Sequence, residues 1–334
     1  MNLAPIIAVT MGDPSGIGPE VIVKSFQDDD LHLQARVVVI GDARLLQATA
    51  KNNASEVLIH TIDKPDEGWY QTRTIDVIDL NNVAENITLG KPSREAGQAS
   101  FEAIQAAVDL ALRDEVSAIT TAPINKNSLH LAGHTFPGHT ELLAHLTKSK
   151  QSALMMAGNS MRVVLVTTHA PIGQVKSMIT KERVLNTIRL TQEWLTQHVT
   201  EVPSIAVTGL NPHCGDGGIF GQEETDYIVP ALKIAQTEGI QASGPYSADA
   251  LFGRPDFKKY DAVICMYHDQ GMIPVKMDSS GQGVNITLGL PILRTSVDHG
   301  TAFDIAGQGK ACAENLKIAI RTAAQLSQST LSMQ

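Results

Sequence analysis

Three apolar runs of this chain end in a histidine: RVVLVTTH at His169, SIAVTGLNPH at His213 and DAVICMYH at His268. Three neutral imidazoles with a fourth position left open form the donor set of a catalytic site for zinc or another first-row divalent ion. Gaps of tens of residues match no short metal motif, so a shared site requires the fold to bring the run ends together. Taken singly, each histidine reads as a loop residue satisfying a local hydrogen bond. Their common place at the end of a run is what favours a shared metal. Cys214 beside His213 and Cys265 just before His268 permit a structural Cys/His zinc site instead. That alternative is weakened because Cys265 lies inside an apolar run, where a buried thiol is ordinary.

Other residues suit an anionic substrate. GHTELLAHL reads as a helix start with Thr140 near the N-cap and Glu141 in the first turn. Beside free backbone N–H groups, His139 and Thr140 would form an anion or hydroxy-acid site; plain capping explains the threonine but not the preceding histidine. Lys276, Asn285 and Arg294 recur nine residues apart in VKMDSSGQGVNITLGLPILRTS. Arg294 follows the apolar LGLPIL, so its guanidinium should be held near structured backbone, able to grip a carboxylate or phosphate in bidentate fashion. Asp249 in SADALF and Asp269 beside His268 are carboxylates in candidate site loops. Either could orient a metal-bound histidine or take a proton, and the sequence does not separate the two roles.

What must position these groups is a recurring unit of β-branched run, polar loop and helical stretch. The runs are 6–10, 35–41, 117–122, 162–168, 204–210 and 261–267, nearly continuous in apolar residues rather than alternating. Such runs suit strands covered on both faces, as in a parallel sheet. EAGQASFEAIQAAVDLALRDE places Phe101, Ile104, Val108, Ala111 and Leu112 at helical spacing, a core stripe. Strands alternating with helices predict a doubly wound α/β protein, whose ligands bind beyond the carboxyl ends of the strands. The chain has 334 residues, 43% hydrophobic and 18% charged, a length that favours two domains. A net charge of −9 with scattered basic residues gives no footprint for nucleic acid or a membrane surface. No apolar run approaches the roughly 20 residues of a membrane span, and the first residues lack the marks of a signal peptide. Three cysteines, an odd number in a long chain, read as reduced thiols, and the expected compartment is the cytoplasm.

GDPSGIGPE, between the runs IIAVT and VIVKSF, has three glycines at a strand-to-helix turn. Their spacing is G-x-x-x-G-x-G, not the dinucleotide fingerprint. Pro19 and Glu20 read as the first turn of a helix, where proline loses no needed hydrogen bond and a carboxylate suits the dipole.

The ordered series MGDPSGIGPE, TAPINK, GHTELL, TTH, LNPHCGDGG, MYHDQG, VNITLGLP and RTSVDHGTAFDIAG resembles the 4-hydroxythreonine-4-phosphate dehydrogenase family of pyridoxal phosphate biosynthesis, over nearly the whole chain. The resemblance implies a divalent-metal and NAD- or NADP-dependent oxidation of a small phosphorylated hydroxy acid, in a homodimer whose site lies at the domain and subunit interface. It puts the metal on His169, His213 and His268, with zinc first and magnesium, manganese or cobalt as alternatives. It puts substrate contacts on His139, Thr140, Lys276, Asn285 and Arg294.

GDPSGIGPEV and HGTAFDIAGQG are more distantly similar to segments of isopropylmalate and isocitrate dehydrogenases. That similarity implies two α/β/α domains with mainly parallel sheets and a cleft between them: a terminal cofactor domain of residues 1–128 plus 280–334, and a central metal and dimer domain of 129–279. It also implies that His299, Gly300, Thr301, Ala302 and Asp304 bind the nicotinamide cofactor, although Phe303 replaces the usual proline of that loop.

The implied reaction is oxidation of 4-phosphooxy-L-threonine to 2-amino-3-oxo-4-phosphooxybutanoate, which decarboxylates to 3-amino-2-oxopropyl phosphate. Asp249 or Asp269 would act as base and Lys276 would assist. LNPHCGDGG carries Cys214 and Asp216 where alanine and glutamate are usual, and the M-I-P-V-K form after HDQG is similar to a branch acting on D-threonate or D-erythronate 4-phosphate. A dehydrogenase of those acids is therefore the first alternative. A metal-dependent aldolase or hydrolase, or a non-catalytic binder of phosphorylated acids, is less favoured because neither needs the HGTAFDIAG segment.

Overall fold

The computed structural model describes residues 4–27 and 31–332. It divides into two compact units, one running through Lys150 and resuming at Leu290–Ser332, the other Gln151–Gly289. These limits differ from the expected 128/129 and 279/280. Leu142 and Leu143 enter the core of the first unit, and the strand at 284–288 pairs within the second.

The first unit begins with strands β1 (Ile6–Thr10), β2 (Arg36–Gly41), β3 (Leu58–Ile62), β4 (Thr74–Asp79) and β5 (Ala118–Thr121). Its helices there are α1 (Gly18–Ser25), α2 (Ala43–Asn52), α3 (Arg94–Leu112), α4 (Lys126–Leu131) and α5 (His139–Leu146). The second unit holds β6 (Ala153–Ala157), β7 (Arg162–Leu165), β8 (Ser204–Thr208), β9 (Gln241–Tyr246), β10 (Ala262–Cys265) and β11 (Val284–Leu288). With them come α6 (Ile172–Met178), α7 (Lys181–His198), α8 (Val229–Thr237), α9 (Ala248–Phe252) and α10 (His268–Ser279). The chain returns to the first unit with β12 (Arg294–Ser296) and α11 (Glu314–Ser332).

In the first unit the strand order is β3-β4-β2-β1-β5-β12, and each of its neighbouring pairs is parallel. The continuous apolar runs follow from coverage on both faces. Ile7 and Val9 of β1 join Val21, Ile22, Leu316 and Ile320 in one core, while Ala8 points the other way into a second with Ile104, Val108 and Leu142. Ile104, Val108 and Ala111 of the expected stripe are buried and Phe101 stacks on His134. Leu112 is instead 45% exposed, because the buried face of α3 is built largely from alanines and Gly97.

Gly97 shows why that face is small. A Cβ there would lie 1.9 Å from the Ser128 carbonyl oxygen, so the α4 backbone rests directly on α3. Gly97→Ala should therefore destabilise the protein by about 3 kcal/mol, overriding the gain of about 1 kcal/mol in helix propensity. The midpoint of urea unfolding checks this, and an unchanged midpoint would contradict the close approach.

In the second unit the order is β11-β6-β7-β10-β8-β9. β6 runs antiparallel to both its neighbours, and the β7, β10, β8 and β9 ladder is parallel. Val163, Leu165, Val263 and Cys265 pack with Met272 and Val275 of α10, and the alternating Val164 and Ile264 are equally buried on the opposite face. Cys265 is thus a core residue, its thiol pushed far up by burial, and not a metal ligand in waiting. Among the described residues no helix is long and apolar enough to cross a membrane.

Candidate active site

The three adjacent parallel strands β7, β10 and β8 lead into the segments carrying His169, His268 and His213 respectively. Pairing continues past β7 and β10, with Val166 N–H donating to the Cys265 carbonyl (2.9 Å) and Thr167 N–H to that of Met266 (3.2 Å). This delivers His169 and His268 side by side, their ring centroids 5.7 Å apart. His268 opens α10, and its Nδ1 lies 2.7 Å from Asp269 Oδ1. A Nδ1–H donated to that carboxylate leaves the Nε2 lone pair for a metal. Asp269 thus occupies a histidine-orienting place, which its sequence position left undecided.

His213 is not gathered to the same degree. It sits in a loop whose residues 213–217 all adopt left-handed φ values, His213, Cys214 and Asp216 among them (52°, 54° and 44°). Among the described residues no three His, Cys, Asp or Glu side chains stand close enough to hold one ion. Two imidazoles with a carboxylate behind one of them fit a divalent ion, and the third expected ligand is only on the neighbouring strand end.

Two residues that the sequence reading missed shape this edge. Glu224, buried, accepts from the N–H groups of Leu210 (2.8 Å) and Asn211 (2.7 Å) and so anchors the root of the His213 loop. Gln270 accepts from Met266 N–H and the Thr208 hydroxyl and donates to the Gly209 carbonyl, tying the ends of β8 and β10 together. The paired glutamates just after a glycine-rich loop, and an amide two residues past a candidate ligand, were the available signals.

Asp249 lies exposed in the first turn of α9, where the Ser247 hydroxyl, more than the His213 charge, holds its carboxyl below the usual range. Lys276 is exposed two turns along α10 from His268, at the margin of the face that buries Gly271, Met272 and Val275. Asn285 lies on β11 with its Oδ1 buried and without a hydrogen-bond partner.

In the first unit, His139 begins α5. The N-cap position is Gly138 rather than Thr140, with no side-chain cap, because the chain extends through the glycine before turning. Arg294 opens β12 at 2% exposure, its Nε and Nη2 donating to Thr121 Oγ1 at 3.2 and 2.6 Å. Burial pulls the guanidinium pKa down to about 9. Burial, and then the Arg294 charge, push His139 well below the usual imidazole value, so the ring is neutral at neutral pH. A buried cation beside a neutral imidazole at a helix start is chemistry for an anion.

The 299–304 segment is irregular, a bend at His299 leading into turns that begin at Phe303. His299 Nδ1 meets the Gly300 carbonyl at 3.0 Å while Nε2 is buried without a partner. Gly300 faces open space, Thr301 is buried, Ala302 takes φ 41° and Asp304 is exposed. GDPSGIGPE packs against it, with Ile17 N–H donating to the Thr301 carbonyl (3.0 Å). Gly18 serves backbone proximity, since a Cβ there would stand 2.2 Å from the Met11 carbonyl oxygen. Asp13, fully buried, accepts from Ser15 N–H at 2.8 Å, and burial raises its pKa. Thr10 Oγ1, Asp13 Oδ2 and Ser15 Oγ are buried without partners. His139 Nε2 belongs to the same class as these atoms, His299 Nε2 and Asn285 Oδ1. Buried polar atoms unanswered by protein carry a desolvation cost that a polar ligand removes, and those of His299, Asp13 and Ser15 fit a nucleotide at this loop.

Comparison with known proteins places these features in a lineage. Residues 33–323 match the family described as pyridoxal phosphate biosynthetic protein PdxA. A 4-hydroxythreonine-4-phosphate dehydrogenase of Trichlorobacter lovleyi is 46% identical over 96% of this chain and 97% of its own length. A D-threonate 4-phosphate dehydrogenase of Cupriavidus necator is 45% identical, with 96% and 97% covered. The crystal structure of 4-hydroxythreonine-4-phosphate dehydrogenase from Klebsiella pneumoniae superposes with a TM-score of 0.92 at 41% identity, covering 98% of this chain and 99% of that one.

Proposed function

We propose that this chain, which belongs to the PdxA family of pyridoxal phosphate biosynthetic proteins and is a dehydrogenase acting on a CH–OH group, oxidises 4-phosphooxy-L-threonine with NAD or NADP. The product is 2-amino-3-oxo-4-phosphooxybutanoate, a β-keto acid that loses CO₂ to give 3-amino-2-oxopropyl phosphate. The observation that carries this reading is the buried Arg294 beside the neutral His139, on a chain so close in sequence to dehydrogenases of phosphorylated four-carbon acids.

In the proposed assignment, Arg294, His139, Thr140 and Asn285 hold the phosphate and carboxylate by charge and hydrogen bonding. His169, His268 and His213 hold a divalent ion, zinc first, with magnesium, manganese or cobalt as alternatives. Such an ion supplies Lewis-acid polarisation of the substrate hydroxyl. The hydroxyl proton passes through water to Asp249, which is ionised at neutral pH, or to Asp269, which also orients His268. His299, Gly300, Thr301, Ala302 and Asp304 would hold the nicotinamide nucleotide, which would supply the acceptor for the C3 hydrogen as hydride. The Lys276 ammonium offsets the negative charge that develops as CO₂ departs.

A homodimer with a shared active site is part of the same proposal. Ile273 and Met277 are 59% and 77% exposed on the face of α10 that also presents Lys276, and Ile219 and Phe220 are exposed in the His213 loop. Apolar surface grouped around candidate ligands suits a second copy of the chain. The proposed compartment is the cytoplasm, in keeping with three free cysteines.

A second reading, oxidation of D-threonate 4-phosphate, is supported by the 45% identity to the Cupriavidus necator D-threonate 4-phosphate dehydrogenase, and D-erythronate 4-phosphate joins it only through the M-I-P-V-K form after HDQG. Assaying purified protein with each nucleotide, each metal and these three phosphorylated acids tests both readings. The first requires kcat/KM for 4-phosphooxy-L-threonine to exceed the others by at least about tenfold, a hydrogen-bonding difference at C2. The reverse order establishes the second.

A further inference from the structure

We propose that Glu20 and Lys24 are positioning residues for the nicotinamide nucleotide, acting as a clamp that sets the shape of the stretch following the 299–304 segment; this rests on the reading that residues 299–304 take the cofactor. From Asp298 to Ala313 the chain forms neither helix nor strand, so no regular hydrogen-bond ladder holds it. One turn of α1 does so instead. Glu20 Oε1 accepts from Ala311 N–H at 2.8 Å and its Oε2 from Gly309 N–H at 3.3 Å. Lys24 Nζ donates to Glu20 Oε1 (3.0 Å) and to the carbonyls of Gly309 and Ala311, both at 2.8 Å.

An ammonium has three protons, and all three are used here. The Glu20 side chain is 3% exposed and that of Lys24 21%. A single ion pair thus satisfies two donors and two acceptors of a stretch nearly 290 positions away in sequence. The same helix start contributes Ile17 N–H to the Thr301 carbonyl, so the segment is pinned at both ends by residues 17–24. Glu20 was expected only to complement the helix dipole. Its carboxylate instead points at the C-terminal segment.

Pre-organisation of a binding loop appears in ligand affinity, not in the chemical step. Glu20→Gln, Lys24→Gln, Lys24→Arg and His299→Ala are to be compared with the unaltered protein by fluorescence titration with NADH and NADPH, by KM and kcat, and by hydrogen exchange of 299–311 without ligand. Expected for Glu20→Gln and Lys24→Gln are an approximately tenfold or greater rise in nucleotide Kd, faster exchange confined to 299–311, and kcat at saturating nucleotide and substrate KM within about threefold. Lys24→Arg should restore most of the affinity. If His299→Ala weakens nucleotide binding and Glu20→Gln and Lys24→Gln do not, the clamp proposal fails alone. If none of the three changes Kd, the loop assignment fails and takes the clamp with it.

Discussion

Arg294→Met should leave the protein folded, with a melting temperature equal to or a few degrees above the original, while raising KM for the phosphorylated acid about a hundredfold or more. The two halves have one cause. The guanidinium is 2% exposed and burial disfavours its charged form, so its folded pKa, about 9, lies well below that of a free arginine. A base with a depressed folded pKa costs stability at every pH below that value, and the cost is relieved only as pH rises above about 9 towards the pKa of the unfolded arginine. At neutral pH the cost is present in full, and methionine, similar in length and apolar, removes it. What methionine cannot do is answer an anion. Arg294→Lys should fall between, keeping the charge and losing the fork geometry. Calorimetry and steady-state kinetics on the same samples check both halves; an unchanged KM would remove Arg294 from the substrate site.

His169→Ala and His268→Ala should each strip the divalent ion and lower kcat by more than about a thousandfold. These rings stand 5.7 Å apart, near enough to share an ion, and the loss should be visible as metal content after gel filtration as well as in rate. Asp269→Asn keeps the shape but weakens the acceptor on His268 Nδ1, and should reduce metal affinity about 10- to 100-fold. His213→Ala is the discriminating variant, because its ring lies on the left-handed loop, outside any three-residue cluster of the described residues. Full metal content in His213→Ala would make the site a two-histidine one. Full activity of the His169 and His268 variants in metal-free buffer would refute the metal altogether.

The six apolar runs read from the sequence all became strands, because strands buried on both faces carry no competing polar pattern. The others left weaker traces. β3, LIHTI at the edge of its sheet, is half-exposed, and β12 is only three residues long. The convergence of His169 and His268 was legible from topology alone, since strand ends on one edge meet whatever their separation in sequence. The arrangement of His213 was not legible, because five consecutive left-handed residues follow no propensity that composition reveals. Asp13 and Ser15 were readable as loop residues, but that Asp13 Oδ2 and Ser15 Oγ are buried without a hydrogen-bond partner was not, because it depends on neighbours brought in from elsewhere in the chain. Glu20 was placed correctly in the first turn of its helix, yet its partners at 309 and 311 lie at the other end of the sequence.

That the first unit is assembled from both ends of the chain has a consequence for the order in which the protein is made. Ile7 and Val9 share a core with Leu316, Ile320 and Ala323, and β5 gains its β12 neighbour only from residues 294–296. On the ribosome, the central Gln151–Gly289 unit is complete while the face of the first strands that Leu316, Ile320 and Ala323 of α11 complete is still only partly covered and β5 is an open sheet edge. The amino-terminal half is therefore the one that waits, exposed to chaperones and to aggregation, and a nascent chain stalled before α11 would carry a finished central unit on an unfinished base.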